Sequence, residues 1–204
     1  MTPPHDGQPP YKCAMKGNGE LEVLVIGNSI SVRSAVILHK ILRGKVRTLR
    51  IFARSACHPL RYNPYWDCAG YFSAAIELAR SMRPNVTFFM VDEEPRLNEP
   101  IDNLETDKAL DEFRTFIIAL SNVSQYVVYD ESYPTPKKAV GVAESLMKRL
   151  MRRQSLDEFK GDAWLWRKQH ANYFKRMDAV QFPNYMRLDI TKELCSEERN
   201  VCWW

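Results

Sequence analysis

The 204-residue chain is 45% hydrophobic and 26% charged, with 29 Lys and Arg against 25 Asp and Glu. That length and balance describe a single folded domain and exclude collagen-like, low-complexity and disordered chains. Its apolar runs are far shorter than the ~20 residues a membrane-spanning helix needs. A net charge of +4 is too mild to point to nucleic acid. The charge is unevenly spread: residues 92–112 hold nine acids against Arg96 and Lys108, whereas 40–61 hold seven basic residues and no acid. These read as solvated faces of opposite sign, the basic one able to steer an anionic substrate.

The elements follow in order. Residues 1–19 are polar and rich in Pro and Gly and read as a flexible leader, without the apolar stretch of a signal peptide. Residues 20–26 (ELEVLVI) form a buried strand ended by Gly27. Asn28 or Ser29 can cap a helix over 30–43 that Gly44 stops. A second strand is predicted over 46–53 (VRTLRIFA), then a loop broken by Pro59 and Pro64. In the helix over 67–82, Phe72, Ala75, Ile76 and Ala79 recur at helical spacing. A third strand, β-branched and aromatic, covers 85–91 (NVTFFMV).

After the acidic stretch, 106–120 is an amphipathic helix with Leu110, Phe113, Phe116, Ile117 and Leu120 on one stripe. A fourth strand over 125–129 leads to a helix over 137–151, with Met147 and Leu150 among its inward residues. A helix over 162–180 and a fifth strand over 185–190 complete the pattern. Such alternation predicts a three-layer α/β/α sandwich, flavodoxin-like, with a five-stranded parallel sheet over 20–204 as one domain. Sites in these sheets lie at the carboxyl ends of the strands.

Five cysteines are an odd number. The spacings of Cys57 with Cys68 and of Cys195 with Cys202 are not those of a zinc ribbon. Two local disulfides fit better, with Cys13 left over, and persistent disulfides imply a lumenal or extracellular address. No metal-ligand spacing and no glycine-rich phosphate loop occurs, so the sequence implies no metal and no cofactor.

At the end of the first strand the chain reads G-N-S over Gly27, Asn28 and Ser29. Gly27 permits a sharp turn off the strand. Ser29 then lies where a helix begins, where unpaired N–H groups and the helix dipole favour developing negative charge. A serine so placed serves as an N-cap, as part of an anion cradle, or as a nucleophile whose own amide stabilises the oxyanion.

The G-N-S turn resembles the first block of the SGNH (GDSL-like) hydrolase superfamily. The wider pattern resembles the SGNH domain attached to acyltransferase-3-type membrane proteins, especially the nematode versions. The matching features are K-G-N-G-x-L-E-V-L-V-I-G-N-S ending at Ser29, S-A-C-H-P-L from Ser55, Cys68, the R-P-N-V-T-F-F strand, and the L-D-I-x-x-x-L-C to C-W-W tail. The resemblance implies O-acyl chemistry: a serine takes an acyl group from a donor and passes it to water or to a hydroxyl acceptor such as a carbohydrate or lipid. It implies a membrane acyltransferase domain elsewhere in the full-length protein.

The resemblance makes Ser29 the nucleophile, with Gly27 and Asn28 lining the turn. A second oxyanion donor is expected from the backbone of Ser55 and Ala56, though the glycine usual there is missing. After the third strand the family's G-x-N-D is absent, leaving Asn98 and Arg96 as polar candidates by residue type. The family's base is a histidine in a D-x-x-H motif near the C-terminus, and none occurs in these 204 residues. The expectation is a C-terminally truncated or degenerate domain, weak or inactive by itself, with His58 as a substitute base of last resort. The alternative function is a non-catalytic lumenal or extracellular binding domain that retains the fold.

Overall fold

The computed structural model describes residues 11–60, 67–91, 94–131, 142–196 and 198–203. In chain order the elements are β1 (Tyr11–Lys16), β2 (Leu21–Gly27), α1 (Ser29–Leu42), β3 (Val46–Ala53), α2 (Cys68–Met82), β4 (Val86–Met90), α3 (Lys108–Ser121) and β5 (Tyr126–Asp130). Then come α4 (Val142–Met151), β6 (Lys160–Asp162), α5 (Ala163–Gln169), α6 (Ala171–Asp178), β7 (Tyr185–Leu188), α7 (Thr191–Leu194), β8 (Cys195–Ser196) and β9 (Val201–Trp203).

Six strands form the main sheet in the order β1-β3-β2-β4-β5-β7. The five strands expected from the sequence are β2, β3, β4, β5 and β7, and all pair in parallel. They are parallel because each returns through a helix, a crossover that hairpins cannot make. Part of the expected leader is instead a sixth strand: β1 pairs antiparallel with β3, from Tyr11 against Ala53 to Lys16 against Thr48. A half-exposed edge strand needs no continuous apolar run, so hydropathy does not reveal it. Residues 1–10 lie outside the described set.

The helix expected over 162–180 is two helices that break at His170. Before it, β6 joins β9 and β8 in a small three-stranded antiparallel sheet. The helix over 137–151 is described from Val142, and Met147 and Leu150 are 57% and 50% exposed rather than inward. Leu146 is half-buried, and Ser145 and Arg149 tie this helix to Glu158.

The larger core lies on the face covered by α2, α3 and α6. Phe72, Phe89, Phe116, Phe113 and Tyr129 form a chain of edge and offset ring contacts through it. The opposite face carries a smaller cluster beneath α1, including Val23, Val25, Ala35, Leu49, Ile51 and Met90. Both disulfides form: Cys57–Cys68 with Cα atoms 5.3 Å apart, and Cys195–Cys202 across the β8–β9 pair at 3.9 Å. Cys13 is free and exposed on β1. Among the described residues no helix is long and apolar enough to cross a membrane.

Candidate active site

The carboxyl edge of the sheet brings three loops together at β2. Gly27, the last residue of β2, pairs with Ala53 of β3 on one side and Met90 of β4 on the other. The turn that follows is tightly built. Gly27 has φ +142°, a conformation L side chains rarely adopt, and a Cβ there would lie 1.9 Å from the Met90 carbonyl oxygen. Asn28 is buried, donates its N–H to Met90 C=O at 3.4 Å, and accepts the Ile30 N–H on Oδ1 at 3.0 Å. It is thus the N-cap of α1, and Ser29 is the first helical residue.

Ser29 is half-buried. Among the described residues no side chain reaches its hydroxyl within hydrogen-bond distance. The next serine along the chain, Ser31, plays a structural part. Ser31 Oγ is fully buried, 2.6 Å from Met90 O and 3.0 Å from Ile26 O, which pins the first turn of α1 to β2 and β4. In the sequence only position separates these two serines.

The loop after β3 turns back at once. Arg54 N–H bonds Gly27 C=O at 3.0 Å, and Cys57 N–H bonds Arg54 C=O at 3.3 Å, closing a tight turn over Arg54–Cys57. Ala56 takes φ +59° in that turn, the left-handed region that glycine occupies without penalty. The Ser55 and Ala56 N–H groups make no backbone bond among the described residues. Cys57 is then fixed to Cys68 at the start of α2.

His58 and Glu94 meet across this edge, with Nδ1 and Oε2 3.8 Å apart and side chains 8% and 0% exposed. Because β2 lies between β3 and β4, a contact between the loops that follow those two strands spans the end of β2. Glu94 also accepts the Leu60 and Arg96 N–H groups, at 3.3 and 3.4 Å. Nothing in residue order sets Glu94 apart, since it is one of nine acids in a stretch whose charge reads as solvated. His39 is hydrogen-bonded to the Lys16 carbonyl and His170 to the Trp166 carbonyl, each at 2.8 Å.

The two other polar candidates are engaged elsewhere. Asn98 donates to Gln169 C=O at 2.9 Å, tying the loop after β4 to the α5–α6 bend. Arg96 donates to Leu60 C=O at 2.9 Å and pairs with Glu112 at 2.5 Å. No described bond joins either side chain to Gly27, Asn28 or Ser29.

The carboxyl edge is also rich in buried acid. Asp130 closes β5 beside Leu188 of β7, is 5% exposed, and its Oδ1 has no hydrogen-bond partner among the described residues. Burial first, and the adjacent Glu131 second, push the Asp130 carboxyl up to about 7. Burial raises Glu131 as well, opposed by the Arg187 guanidinium, whose Nε lies 2.7 Å from Oε1.

A doubly wound sheet with a buried glycine turn, and a half-buried serine opening the next helix, defines an α/β domain that places Ser29 at its carboxyl edge. The chain belongs to the SGNH domain family described as fused to AT3 domains, whose family model matches residues 2–203. A search of curated proteins finds no match. Among solved structures it is similar to TesA, at 11% identity and TM-score 0.39, covering 78% of this chain and 99% of that chain. It is also similar to a catalytic mutant of Axe2, an acetylxylan esterase from Geobacillus stearothermophilus, at 13% identity and TM-score 0.42, covering 93% and 90%. The family assignment rests on the family-model match.

Proposed function

We propose that this domain carries out O-acyl ester hydrolysis or acyl transfer through Ser29. The observation that carries the reading is the place of Ser29: on the first turn of α1, directly after a left-handed glycine and a side-chain-bonded cap, at the carboxyl edge of the sheet. The Ser29 hydroxyl attacks the acyl carbonyl, and a tetrahedral oxyanion forms. The Ser29 N–H at the helix start and the N–H groups of Ser55 and Ala56 are its donors, and the helix dipole adds to them. Collapse releases the alcohol, and water or a hydroxyl of a carbohydrate or lipid then takes the acyl group.

The hydroxyl proton needs an acceptor, since free serine is barely ionised at neutral pH. His39 and His170 are held by backbone carbonyls, and His58 faces Glu94. No histidine among the described residues hydrogen-bonds the Ser29 hydroxyl, so the reading takes the base from outside them. The two disulfides support an oxidising, lumenal or extracellular setting, and the family's AT3 fusion supports a membrane acyltransferase as the neighbouring domain in the full-length protein.

The test is hydrolysis of aryl acetates and labelling by a fluorophosphonate, each with and without imidazole in solution as a proton acceptor. Slow turnover that rises several-fold with imidazole and is lost in Ser29→Ala is expected. Labelling at another residue, or turnover unchanged in Ser29→Ala, would sink the reading and favour a binding domain that retains the fold.

A further inference from the structure

Tyr71 lies on α2, outside the loops of the proposed site, yet the turn at Gly27 is held by its hydroxyl. Gly27 N–H donates to Tyr71 Oη at 3.2 Å, and the same oxygen lies 2.8 Å from Gly27 O and 2.7 Å from Phe52 O. Gly27 and Phe52 stand on neighbouring strands. One begins the turn that presents Ser29, and the other leads through Ala53 into the Arg54–Cys57 turn. The phenol is 4% exposed and its ring stacks on Phe52, centroids 5.1 Å apart and planes 6° from parallel. Burial pushes its pKa far above that of an ordinary tyrosine, so it stays protonated and remains a hydrogen-bond donor across the working range.

Tyr71 follows Cys68 by three residues, which places both on one face of α2. Cys68 holds Cys57, the far end of the loop that offers the Ser55 and Ala56 amides. A single turn of α2 thus grips that loop at its end and the strand ends at its beginning. The Arg54 N–H to Gly27 C=O bond joins the two turns directly, and this one helical turn braces the same junction from α2, through the Tyr71 hydroxyl on Gly27 and Phe52 and through the disulfide at Cys57. Catalysis of acyl transfer depends on the spacing of the two turns, since displacements of about 1 Å cost up to ~100-fold in rate.

Resting on the assignment of Ser29 as nucleophile, we infer that Tyr71 is a positioning residue for acyl transfer, which holds the nucleophile turn and the oxyanion loop in register through its hydroxyl. It transfers no proton and touches no substrate. Its effect falls on the rate of the covalent step and not on the affinity for the reagent.

The experiment follows fluorophosphonate labelling of Ser29 in the full chain, with imidazole as proton acceptor, and separates the maximal labelling rate from the half-saturating concentration. Tyr71→Phe keeps the ring stack and removes the hydroxyl. It should lower the maximal rate about 10-fold and leave the half-saturating concentration unchanged. Tyr173→Phe removes another fully buried hydroxyl, one bonded to Tyr129 Oη at 3.3 Å, and should change neither. A 4-aminophenylalanine at position 71, which restores a polar hydrogen at the ring end, should recover most of the rate; it also serves if Tyr71→Phe does not fold. Equal rates for wild type and Tyr71→Phe, the same loss in Tyr173→Phe, or no recovery with the amino analogue would each overturn the positioning role while leaving Ser29 as nucleophile. A wild-type chain that is not labelled at Ser29 would overturn the nucleophile assignment and the positioning role together.

Discussion

Arg176 and Asp107 form a buried two-bond ion pair, with Nε to Oδ1 at 2.9 Å and Nη2 to Oδ2 at 2.6 Å. The Arg176 side chain is 2% exposed and the Asp107 side chain 8%. The same guanidinium donates to the Leu97 and Glu99 carbonyls, both at 2.7 Å. One side chain from α6 therefore ties down the backbone of the acidic stretch after β4. It also keeps Asp107 in place as N-cap of α3, where Oδ1 accepts the Leu110 N–H at 2.7 Å. The guanidinium holds the Asp107 carboxyl below its usual range.

Removing Arg176 leaves the Asp107 carboxylate with no counter-charge from that guanidinium and takes a donor from the Leu97 and Glu99 carbonyls. Arg176→Met is expected to lower unfolding free energy by about 3–5 kcal/mol. Asp107→Asn, which leaves the arginine uncompensated but partly bonded, should cost less. Urea unfolding followed by tryptophan fluorescence measures both. A loss under ~1 kcal/mol for Arg176→Met would show that the loop is held by other contacts.

Asp130 gives the domain an unusual pH dependence. Its carboxyl is raised to about 7 in the folded state, whereas an unfolded aspartate titrates near ~4. The folded chain thus keeps a proton that the unfolded chain releases, so this contribution is fully present below pH ~4. It declines as pH rises and is gone once pH passes about 7. The fall amounts to at most about 4 kcal/mol. Asp130→Asn should flatten the melting temperature between about pH 4 and 7. A wild-type melting curve already flat over that span would show the group to be solvated.

Ala56 occupies a left-handed position in the turn after β3. Ala56→Gly should raise stability by about 1 kcal/mol by relieving that strain, less the extra freedom it gives the unfolded chain. Unchanged or lower stability would mean that the entropy term outweighs the strain.

Both disulfides close short loops, with sequence separations of 11 and 7. Chain-entropy arguments give each about 2.5–3 kcal/mol. Full reduction should lower the midpoint of urea unfolding markedly. Reduction of Cys57–Cys68 alone should also slow Ser29 labelling, because that bond anchors the Ser55 and Ala56 turn. Mapping peptides without reductant checks the pairing, and Cys57 recovered with Cys195 would contradict it.

Much of this architecture is legible in residue order. The runs around Leu24, Phe89 and Val128 are apolar because their strands are covered, or partly covered, on both faces, and the helices between them carry 3.6-residue periodicity. Local rules therefore suffice for five strands, their parallel pairing, the serine turn and both cysteine pairs. The edge strand β1 is not legible, since its side chains are half-exposed or exposed and pairing with β3 rests on backbone bonds that every residue can make. The break at His170 is hidden because the apolar pattern runs through it.

Local patterns set the doubly wound frame and the position of Ser29 just past the end of β2, so residue order is enough to read both. Which polar groups meet is settled only by folding: His58 with Glu94, Arg176 with Asp107 and the carbonyls before it, Tyr71 with Gly27 and Phe52. These partners lie 19 to 79 residues apart. A single polar residue carries no periodicity that names a distant partner. Burial makes a missing partner costly, and so fixes the pairing only when the sheet and its helices have closed around it.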